Sequence, residues 1–503
     1  MARSWTPSQK TAINLRGKTL LVSAAAGSGK TSVLTERIIR SLLDPDEPAD
    51  LSRMLVVTFT RAAAAELKSR IAQALSEALA KDPGNARLSK QLFLLGSAQI
   101  STIDSFFQKI VRANFDNLDL PASFRIASES EIAPISTEIL EEVMSDFYSR
   151  YEKAQDANDL FGRIRSNPFA RVMDHLMSNR SDGKLNEILL EFLKLLSSYP
   201  QGIGLLKENE RELRDQSHTD FLQTRYGRFI AAELREYLTD HLKVLQRVAD
   251  FLETDPHAKE IHGGTISCDY DFSTAVLHAL DQESYLAVQA VMQSFAPVDF
   301  SRRKYKPEPI PWYQVYRTKW RKRIKKLQEF FVFSPQELER QALETADLCA
   351  ILYAFYSEYS TRLMQEKRAL GVLEFNDVRA ILYRLLTDAN GAPSEVANTL
   401  AEEYQAVYID EYQDVDYVQD SIFAMIGGTR RFMVGDIKQS IYGFRGSEPS
   451  IFADYRRKMP LYGKPGADTS DGNCIFMSEN FRCNDPIIRF TNAVCGFLFS
   501  ACE

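Results

Sequence analysis

Long apolar runs are missing from the sequence, and no stretch approaches the roughly 18 residues that a membrane-spanning helix requires. Residues 1–7 contain no apolar segment of the kind that a secretory signal peptide carries. Cysteine is scarce, with 6 residues in 503, so a disulfide framework is excluded. We therefore expect a cytoplasmic protein that has no membrane partner.

Metal-ligand patterns are also scarce. Cys474, Cys483, Cys495 and Cys502 lie near the C-terminal end, but no Cys-x-x-Cys pair occurs and the 6 histidines are scattered. A metal or iron–sulfur site is one interpretation of the four cysteines. Buried reduced thiols are commoner than ligands, so we favour thiols.

The composition is that of an ordinary globular protein. Hydrophobic residues make up 45% of the chain and charged residues 26%, and the net charge is −7. These values exclude a collagen-like or wholly disordered chain. The length predicts two to four domains, each able to bury a core of its own.

Residues 19–43 have the order of strand, small-residue loop and helix that is typical of a phosphate-binding loop. A buried strand is predicted at residues 19–23, and apolar residues recur with helical spacing from Thr31 to Leu43. The candidate nucleotide-binding residues between them are Ala24, Ala25, Ala26, Gly27, Ser28, Gly29, Lys30 and Thr31.

Each residue type in this loop suits a nucleoside triphosphate. Gly27 and Gly29 let backbone N–H groups face an anion at the positive end of the following helix. We expect Lys30 to reach the β- and γ-phosphates and Thr31 to place its hydroxyl on Mg²⁺. Ala24 replaces the first glycine of the usual pattern, which leaves a chance small-residue turn as the alternative.

Carboxylates for the same site are predicted far downstream. Residues 406–409 read as an apolar strand, and Asp410 and Glu411 follow it directly. We expect Asp410 to hold Mg²⁺ and Glu411 to orient and deprotonate the attacking water. A further strand is predicted at residues 431–436, and Gln439 beyond it can sense the γ-phosphate. An acidic strand end that binds nothing is the alternative.

Several motifs in fixed order resemble those of superfamily 1 DNA helicases of the UvrD/Rep type. They are Gln9, AAAGSGKT at 24–31, TFTRAAAAEL at 58–67, STIDSF at 101–106, IDEYQD at 409–414, GDIKQSIYGFR at 435–445 and SENFR at 478–482. The alanine-rich loop, DEYQD, DIKQSIYGFR and residues 367–377 are most similar to the AddA/RecB helicase–nuclease subunits.

This resemblance implies both a fold and a function. The implied fold is an α/β P-loop NTPase, in which a RecA-like core with a parallel sheet carries a large, mainly helical inserted domain, 1B. The implied function is that of an ATP-dependent DNA helicase or translocase subunit, in a helicase–nuclease for double-strand-break repair and recombination. ATP and Mg²⁺ would be its cofactors, single-stranded and duplex DNA its substrates, and an AddB-type protein its partner in a heterodimer.

Roles for individual residues are also implied by the resemblance. Gln9 would read adenine and Arg37 would pack near the base. The catalytic residues would be Lys30, Glu411, Gln439 and Arg482. The DNA contacts would be Thr58, Phe59, Thr60, Arg61, Thr102, Ser105, Phe106, Tyr442, Phe444 and Arg445, the last three of which would couple γ-phosphate sensing to the bound strand.

Two positions depart from the family pattern. Arg61 stands where Asn is frequent, which affects the detail of DNA contact. Phe481-Arg482-Cys483 stands where Tyr-Arg-Ser is common, and Phe481 keeps an aromatic face for base stacking.

Lys30 and Asp410 can meet at one nucleotide only if a large insertion separates the two parts of the core. We predict domain 1A at residues 1–115 and 370–472, the helical insertion 1B at 116–369, and the start of domain 2A at 473–503. Apolar residues at helical spacing over residues 185–196 and 343–363 favour a helical insertion.

A basic, aromatic-rich stretch lies within the predicted insertion. Residues 302–326 contain eleven Lys or Arg and the single acid Glu308, together with Trp312 and Trp320. Cations neutralise phosphates and aromatic faces accept bases, so both tryptophans are candidate DNA contacts. A solvated helix face with tryptophan rings in the core is an equal alternative.

The late motifs of the family, including Thr-x-His-x-x-Lys-Gly, do not occur in these 503 residues. We therefore expect a fragment that binds nucleotide, hydrolyses ATP slowly and does not unwind DNA alone. Two other functions remain open at this point. One is a P-loop enzyme acting on a small molecule, such as a kinase, and the other is a module that binds nucleotide or a partner without motor activity.

Overall fold

The computed structural model describes residues 4–121, 123–153, 182–303, 305–428, 430–443, 446–463 and 472–500. Phe444 and Arg445, both predicted DNA contacts, lie outside these ranges. The chain forms two compact units. Within the described ranges, the first unit contains residues 4–145, 182–203 and 356–500, and the second contains residues 146–153 and 204–355.

A parallel sheet of six strands lies at the centre of the first unit, counted over the described part of the chain. In spatial order its strands are β3 (Gln99–Thr102), β2 (Met54–Thr58), β6 (Ala406–Ile409), β7 (Arg431–Gly435), β1 (Leu20–Ala24) and β8 (Asn473–Met477). Because all neighbours are parallel, every strand ends at the same edge of the sheet.

Helices cover both faces of this sheet. On one face lie α1 (Pro7–Asn14), α2 (Lys30–Leu43), α3 (Arg61–Lys81) and α4 (Ala86–Leu94). On the other lie α5 (Ile103–Ala113), α14 (Phe375–Leu386), α15 (Glu395–Glu403), α16 (Tyr417–Gly427) and α17 (Pro449–Lys458). Strand residues alternate between the two cores, as Leu20 and Leu21 do, because side chains along a strand point to opposite faces.

The remaining elements of the first unit are short or peripheral to the sheet. They are the two-stranded pair of β4 (Arg125–Ile126) and β5 (Val372–Leu373), the helix α7 (Asp182–Leu196) and the helix α18 (Asp485–Ser500). Helices α6 (Glu129–Lys153) and α13 (Pro335–Ala369) each contain a boundary between the two units.

Long helices build the second unit. They are α8 (Gly204–Asp215), α9 (Arg225–Thr254), α10 (Pro256–Asp281), α11 (Tyr285–Ser294) and α12 (Ile310–Phe330). Inside this unit, Arg317 and Asp269 form a buried bidentate ion pair, and Tyr313 donates to the same carboxylate at 2.8 Å. Buried charges need such partners, because an unpaired charge loses its hydration.

The fold class and the main predicted elements are confirmed. The strands expected around the phosphate loop and the two acids are β1, β6 and β7, and the expected helices at 185–196 and 343–363 lie within α7 and α13. No helix within the described ranges combines the length and apolarity that a bilayer crossing requires.

The predicted domain boundaries differ from the compact units. Residues 182–203 pack with the first unit rather than with the helical insertion, and Tyr356 donates a 2.9 Å hydrogen bond to the Leu189 carbonyl there. The sequence predicts that domain 2A begins at residue 473, and the strand found there, β8, pairs with β1 of the first sheet over five residues, from Leu20 opposite Asn473 to Ala24 opposite Met477.

Candidate nucleotide and DNA site

The predicted motifs converge on one edge of the six-stranded sheet. The loop 25–29 follows β1, Asp410 and Glu411 follow β6, and Asp436 follows β7. Parallel strands separated by long stretches of chain therefore deliver their functional side chains to one place. In open α/β sheets, ligands bind in the crevice at this carboxyl edge.

The phosphate loop has the backbone that its glycines permit. Gly27 and Gly29 have φ values of 76° and 86°, and Gly29 is the N-cap of α2. Ala24 is the last residue of β1 and needs no positive φ, which explains how alanine replaces the usual glycine. Ser28 is buried, and its hydroxyl has no hydrogen-bond partner among the residues that the structure describes.

Residues 478–482 lie over this loop. The Phe481 N–H donates to the Gly27 carbonyl at 2.9 Å, and the Asn480 side chain accepts from the Arg482 N–H at 2.8 Å. A methyl group on Gly27 would lie 2.6 Å from Asn480 and 2.9 Å from Arg482. Glycine is therefore required at position 27 by close approach as well as by φ.

Gln9 contacts the phosphate loop from α1. Its side chain is 4% exposed and donates to the Ser28 carbonyl at 3.0 Å, while its oxygen accepts from the Thr6 N–H at 3.0 Å. Gln9 thus lies beside the phosphate loop. Both the nitrogen and the oxygen of its amide have protein partners in this conformation, so recognition of adenine by Gln9 stays a prediction.

Lys30 joins the loop to both downstream strand ends. Its ammonium donates to the Gln439 side-chain oxygen at 2.9 Å and lies 3.4 Å from a carboxylate oxygen of Glu411. The Gln439 side-chain nitrogen in turn donates to Asp436 at 2.8 Å. The side chain of Lys30 is 10% exposed, so these contacts form away from bulk water.

Asp410 and Glu411 differ sharply in environment. Asp410 is 3% exposed, and burial together with the neighbouring Glu411 raises its pKa to about 6. Glu411 is partly exposed and adopts a left-handed backbone, with φ of 52°, and its N–H donates to Asp410 at 3.0 Å. Such backbone strain in a non-glycine residue is typical of functional sites.

Residues present at this edge fit a magnesium nucleotide. A helix N-terminus, a glycine loop and Lys30 supply positive potential for phosphates. The raised pKa of Asp410 marks a buried carboxylate that gains from a cation beside it. The orphaned Ser28 hydroxyl is a polar atom of the loop that a ligand could satisfy.

Gln413 was missed by the sequence reasoning. It is 1% exposed, and its amide contacts both Glu411 and the backbone N–H of Asp436. The signal available in the sequence was a polar residue two positions after an acid pair that ends a buried strand.

Two predicted DNA contacts stack on each other beside the nucleotide residues. The rings of Phe59 and Tyr442 lie 5.7 Å apart with planes inclined by 11°. Phe59 follows β2, while Tyr442 follows Gln439 by three positions, so this aromatic pair adjoins the residues that contact Lys30. Thr60 and Arg61 beside it are exposed.

Thr102 and Ser105 form the N-terminal cap of α5 at the end of β3. The Thr102 hydroxyl accepts from the Ser105 N–H at 3.2 Å, and both residues are partly exposed. Their hydroxyls serve the cap, and their DNA contacts stay a prediction.

Four predicted contacts are corrected by the structure. Thr58 is 2% exposed and donates to the Thr60 carbonyl, so its side chain shapes the loop and does not face DNA. Phe106 is fully buried in the core and packs edge-on against Tyr404. Both predictions are wrong, because these side chains are enclosed by protein.

Arg37 and Trp320 are corrected for the same reason. Arg37 donates to the Ala12 carbonyl at 2.7 Å and lies over the Phe432 ring, so it secures α1 and does not pack near a base. Trp320 is 1% exposed and stacks on His241 with ring centroids 4.1 Å apart. Trp312, by contrast, is 45% exposed.

Residues 5–460 match the family model of the UvrD/REP helicase N-terminal domain. The chain belongs to the UvrD/REP helicase family.

Curated relatives are named as the A subunit of an ATP-dependent helicase/nuclease. The relative from Acetivibrio thermocellus is 32% identical over 98% of this chain and 39% of its own length. Those from Heliobacterium modesticaldum and Anoxybacillus flavithermus are 33% and 31% identical, over 97% of this chain and 37% and 40% of their own lengths. The chain thus spans about two fifths of the length of the curated relatives it matches.

Proposed function

We propose that this chain is the ATP-hydrolysing part of a DNA helicase or translocase. The observation that carries the proposal is the contact of Lys30 with both Glu411 and Gln439 at the same sheet edge as the Phe59–Tyr442 pair. A small-molecule kinase would need the nucleotide residues alone and has no use for the stacked aromatic pair.

The roles of the chain's residues follow from their positions. The loop with Gly27 and Gly29 binds phosphates at the N-terminus of α2, and Lys30 orients the terminal phosphate. Glu411, partly exposed, accepts the proton of the attacking water. Thr31 and Asp410 would hold Mg²⁺, which when bound neutralises phosphate charge.

A route from nucleotide to DNA runs through the segment after β7. Gln439 contacts Lys30, and Tyr442 lies three residues further along the same short segment. A shift of Gln439 on phosphate binding therefore moves the support of Tyr442 and Phe59. The affinity of this pair for stacked single-stranded DNA would then depend on whether nucleotide is bound, which is what a translocase requires.

We also propose that the chain works with a second protein, of AddB type, in a heterodimer. The name of the relatives supports this proposal, because it describes the A subunit of a helicase/nuclease.

The function can be tested by measuring the single-turnover rate of ATP hydrolysis with and without single-stranded DNA. We expect DNA to accelerate hydrolysis, and Glu411→Gln to slow it at least about 100-fold while ATP binding is retained. The exposed Glu77→Gln on α3 serves as control and should leave the rate unchanged. The proposal is contradicted if the hydrolysis rate is the same with and without DNA, or if Glu411→Gln hydrolyses ATP as fast as the unmodified chain.

A further inference from the structure

Gln413 makes three polar contacts at the centre of the candidate site. Its side-chain nitrogen donates to Glu411 and to Asp414, each at 3.0 Å. Its side-chain oxygen accepts from the Asp436 N–H at 2.9 Å. With 1% of the residue exposed, water cannot substitute for these partners.

The neighbours of this amide determine its orientation. A backbone N–H only donates and an ionised carboxylate only accepts, so the oxygen must face Asp436 and the nitrogen must face the two acids. If the amide were flipped, its NH₂ group would face the Asp436 N–H, and its oxygen would face the carboxylates of Glu411 and Asp414. Space is also restricted, because a methyl group on Gly435 would lie 2.4 Å from the Gln413 oxygen.

These contacts close a ring of five residues, in which Asp436 takes part through both its backbone N–H and its side chain. Lys30 contacts Glu411, Glu411 accepts from Gln413, Gln413 accepts from the Asp436 N–H, Asp436 accepts from Gln439, and Gln439 accepts from Lys30. The ring contains the candidate general base and the candidate γ-phosphate sensor. Gln413 is the member that connects the end of β6 to the end of β7.

A second connection runs in parallel through Asp414. The Ser440 hydroxyl donates to Asp414 at 3.1 Å, and Ser440 directly follows Gln439. The Ser447 hydroxyl also donates to the Asp414 carbonyl, at 2.7 Å. Because Gln413 holds Asp414 as well as Glu411, a displacement of the segment after β7 reaches Glu411 by two routes.

We propose that Gln413 is a positioning residue that orients the Glu411 carboxylate and links its orientation to Gln439. This inference rests on the proposed function, since it assigns a role within the same ATP-hydrolysing site. The described contacts of Gln413 are to Glu411, Asp414 and Asp436, all of them protein groups. It acts by fixing which Glu411 oxygen is occupied by a donor and which is left for the water.

The test measures single-turnover ATP hydrolysis by the full 503-residue chain from pH 5.5 to 9, with ATP affinity measured in parallel. Gln413→Glu keeps the shape but replaces the amide donor by a third carboxylate beside Glu411 and Asp414, so the Glu411 carboxylate loses the group that orients it. We expect the rate to fall about tenfold across the pH range, with ATP affinity within about threefold.

A second variant keeps the proposal testable if Gln413→Glu folds poorly, and a control variant accompanies it. Gln413→Ala removes the orientation without adding charge, so its rate should fall about tenfold at every pH, with no shift of the profile. Gln73→Glu is the matched control, because the exposed Gln73 also donates to a carboxylate, that of Glu77, on α3. It should leave both rate and profile unchanged.

The outcomes separate this inference from the proposed function. Unchanged rate profiles of both Gln413 variants, with hydrolysis that Lys30→Ala abolishes, contradict the positioning role and leave the proposed function standing. A loss of ATP affinity that accounts for the whole loss of rate also contradicts it. Absence of any Lys30-dependent hydrolysis by the unmodified chain contradicts the proposed function and the role of Gln413 together.

Discussion

The Lys30 ammonium donates a 2.9 Å hydrogen bond to Gln439 across 409 positions of the sequence. Strands β1 and β7 are neighbours in the sheet, so their following loops meet even though almost the whole chain lies between them. This single contact joins the phosphate loop to the segment that leads to Tyr442. A nucleotide that draws Lys30 toward its phosphates therefore weakens or breaks the hydrogen bond between Lys30 and Gln439.

The buried carboxyl of Asp410 makes stability depend on pH. Its pKa is about 6 in the folded chain, against about 3.9 when unfolded, so folding favours the protonated form. The corresponding stabilisation is complete below about pH 4 and is lost as pH rises through 6. Asp410→Asn should therefore raise the free energy of unfolding by about 1–3 kcal/mol at pH 8 and have little effect at pH 4.

Denaturant unfolding at pH 4, 6 and 8 checks this prediction. The exposed Asp46→Asn is the control, and its effect should be small at each pH. Destabilisation by Asp410→Asn at pH 8 would show that the charged carboxylate is stabilised in the folded chain, against this account.

The Phe59–Tyr442 pair should contribute to binding of single-stranded DNA. Stacking of a base on an aromatic side chain contributes roughly 1–3 kcal/mol, so Phe59→Ala should weaken DNA affinity about 5- to 150-fold. Fluorescence anisotropy with a labelled oligonucleotide at fixed salt measures this. Phe93→Ala is the control, because Phe93 is 85% exposed and lies on α4. If Phe59→Ala and Phe93→Ala bind DNA with equal affinity, the aromatic pair does not contribute to DNA binding.

The two tryptophans of α12 should respond in opposite ways. Trp320 is buried, so Trp320→Ala should lower the free energy of unfolding by about 3–5 kcal/mol. Trp312 is exposed and stacks on Tyr316, so Trp312→Ala should weaken DNA binding and leave stability nearly unchanged. Thermal unfolding and DNA titration of both variants decide this. Unaltered DNA affinity of Trp312→Ala would support the alternative of a solvated helix face.

Sequence reasoning succeeded where apolar runs are bounded by characteristic polar motifs. Strands β1, β6 and β7 and helix α2 lie where such runs predict them, because a buried strand between a loop and an acid pair has few other interpretations. The pairing of β8 with β1 could not be predicted, because which sheet a strand joins depends on contacts between distant residues.

Side-chain direction was the weaker part of the sequence reasoning. Phe106 lies within a predicted motif and Arg37 lies on the helix that follows the phosphate loop, yet both point into the protein, since a motif names positions and not the faces of a helix. Trp312 and Trp320 are eight positions apart, so on a helix they differ by about 80°. An offset of that size is compatible with one broad helical face, so the spacing could not say that one tryptophan is buried and the other exposed.

The most direct test of the account is the ATP affinity of the chain and of its Lys30→Ala variant, measured by calorimetry in the presence of Mg²⁺. If Lys30, Asp410 and Gln439 form one nucleotide site, Lys30→Ala should weaken binding about 10- to 100-fold, since a charged hydrogen bond contributes roughly 1.5–3 kcal/mol. The exposed Lys81→Ala should bind as the unmodified chain does. Equal affinities of the chain and of Lys30→Ala would contradict the claim that these residues form a nucleotide site.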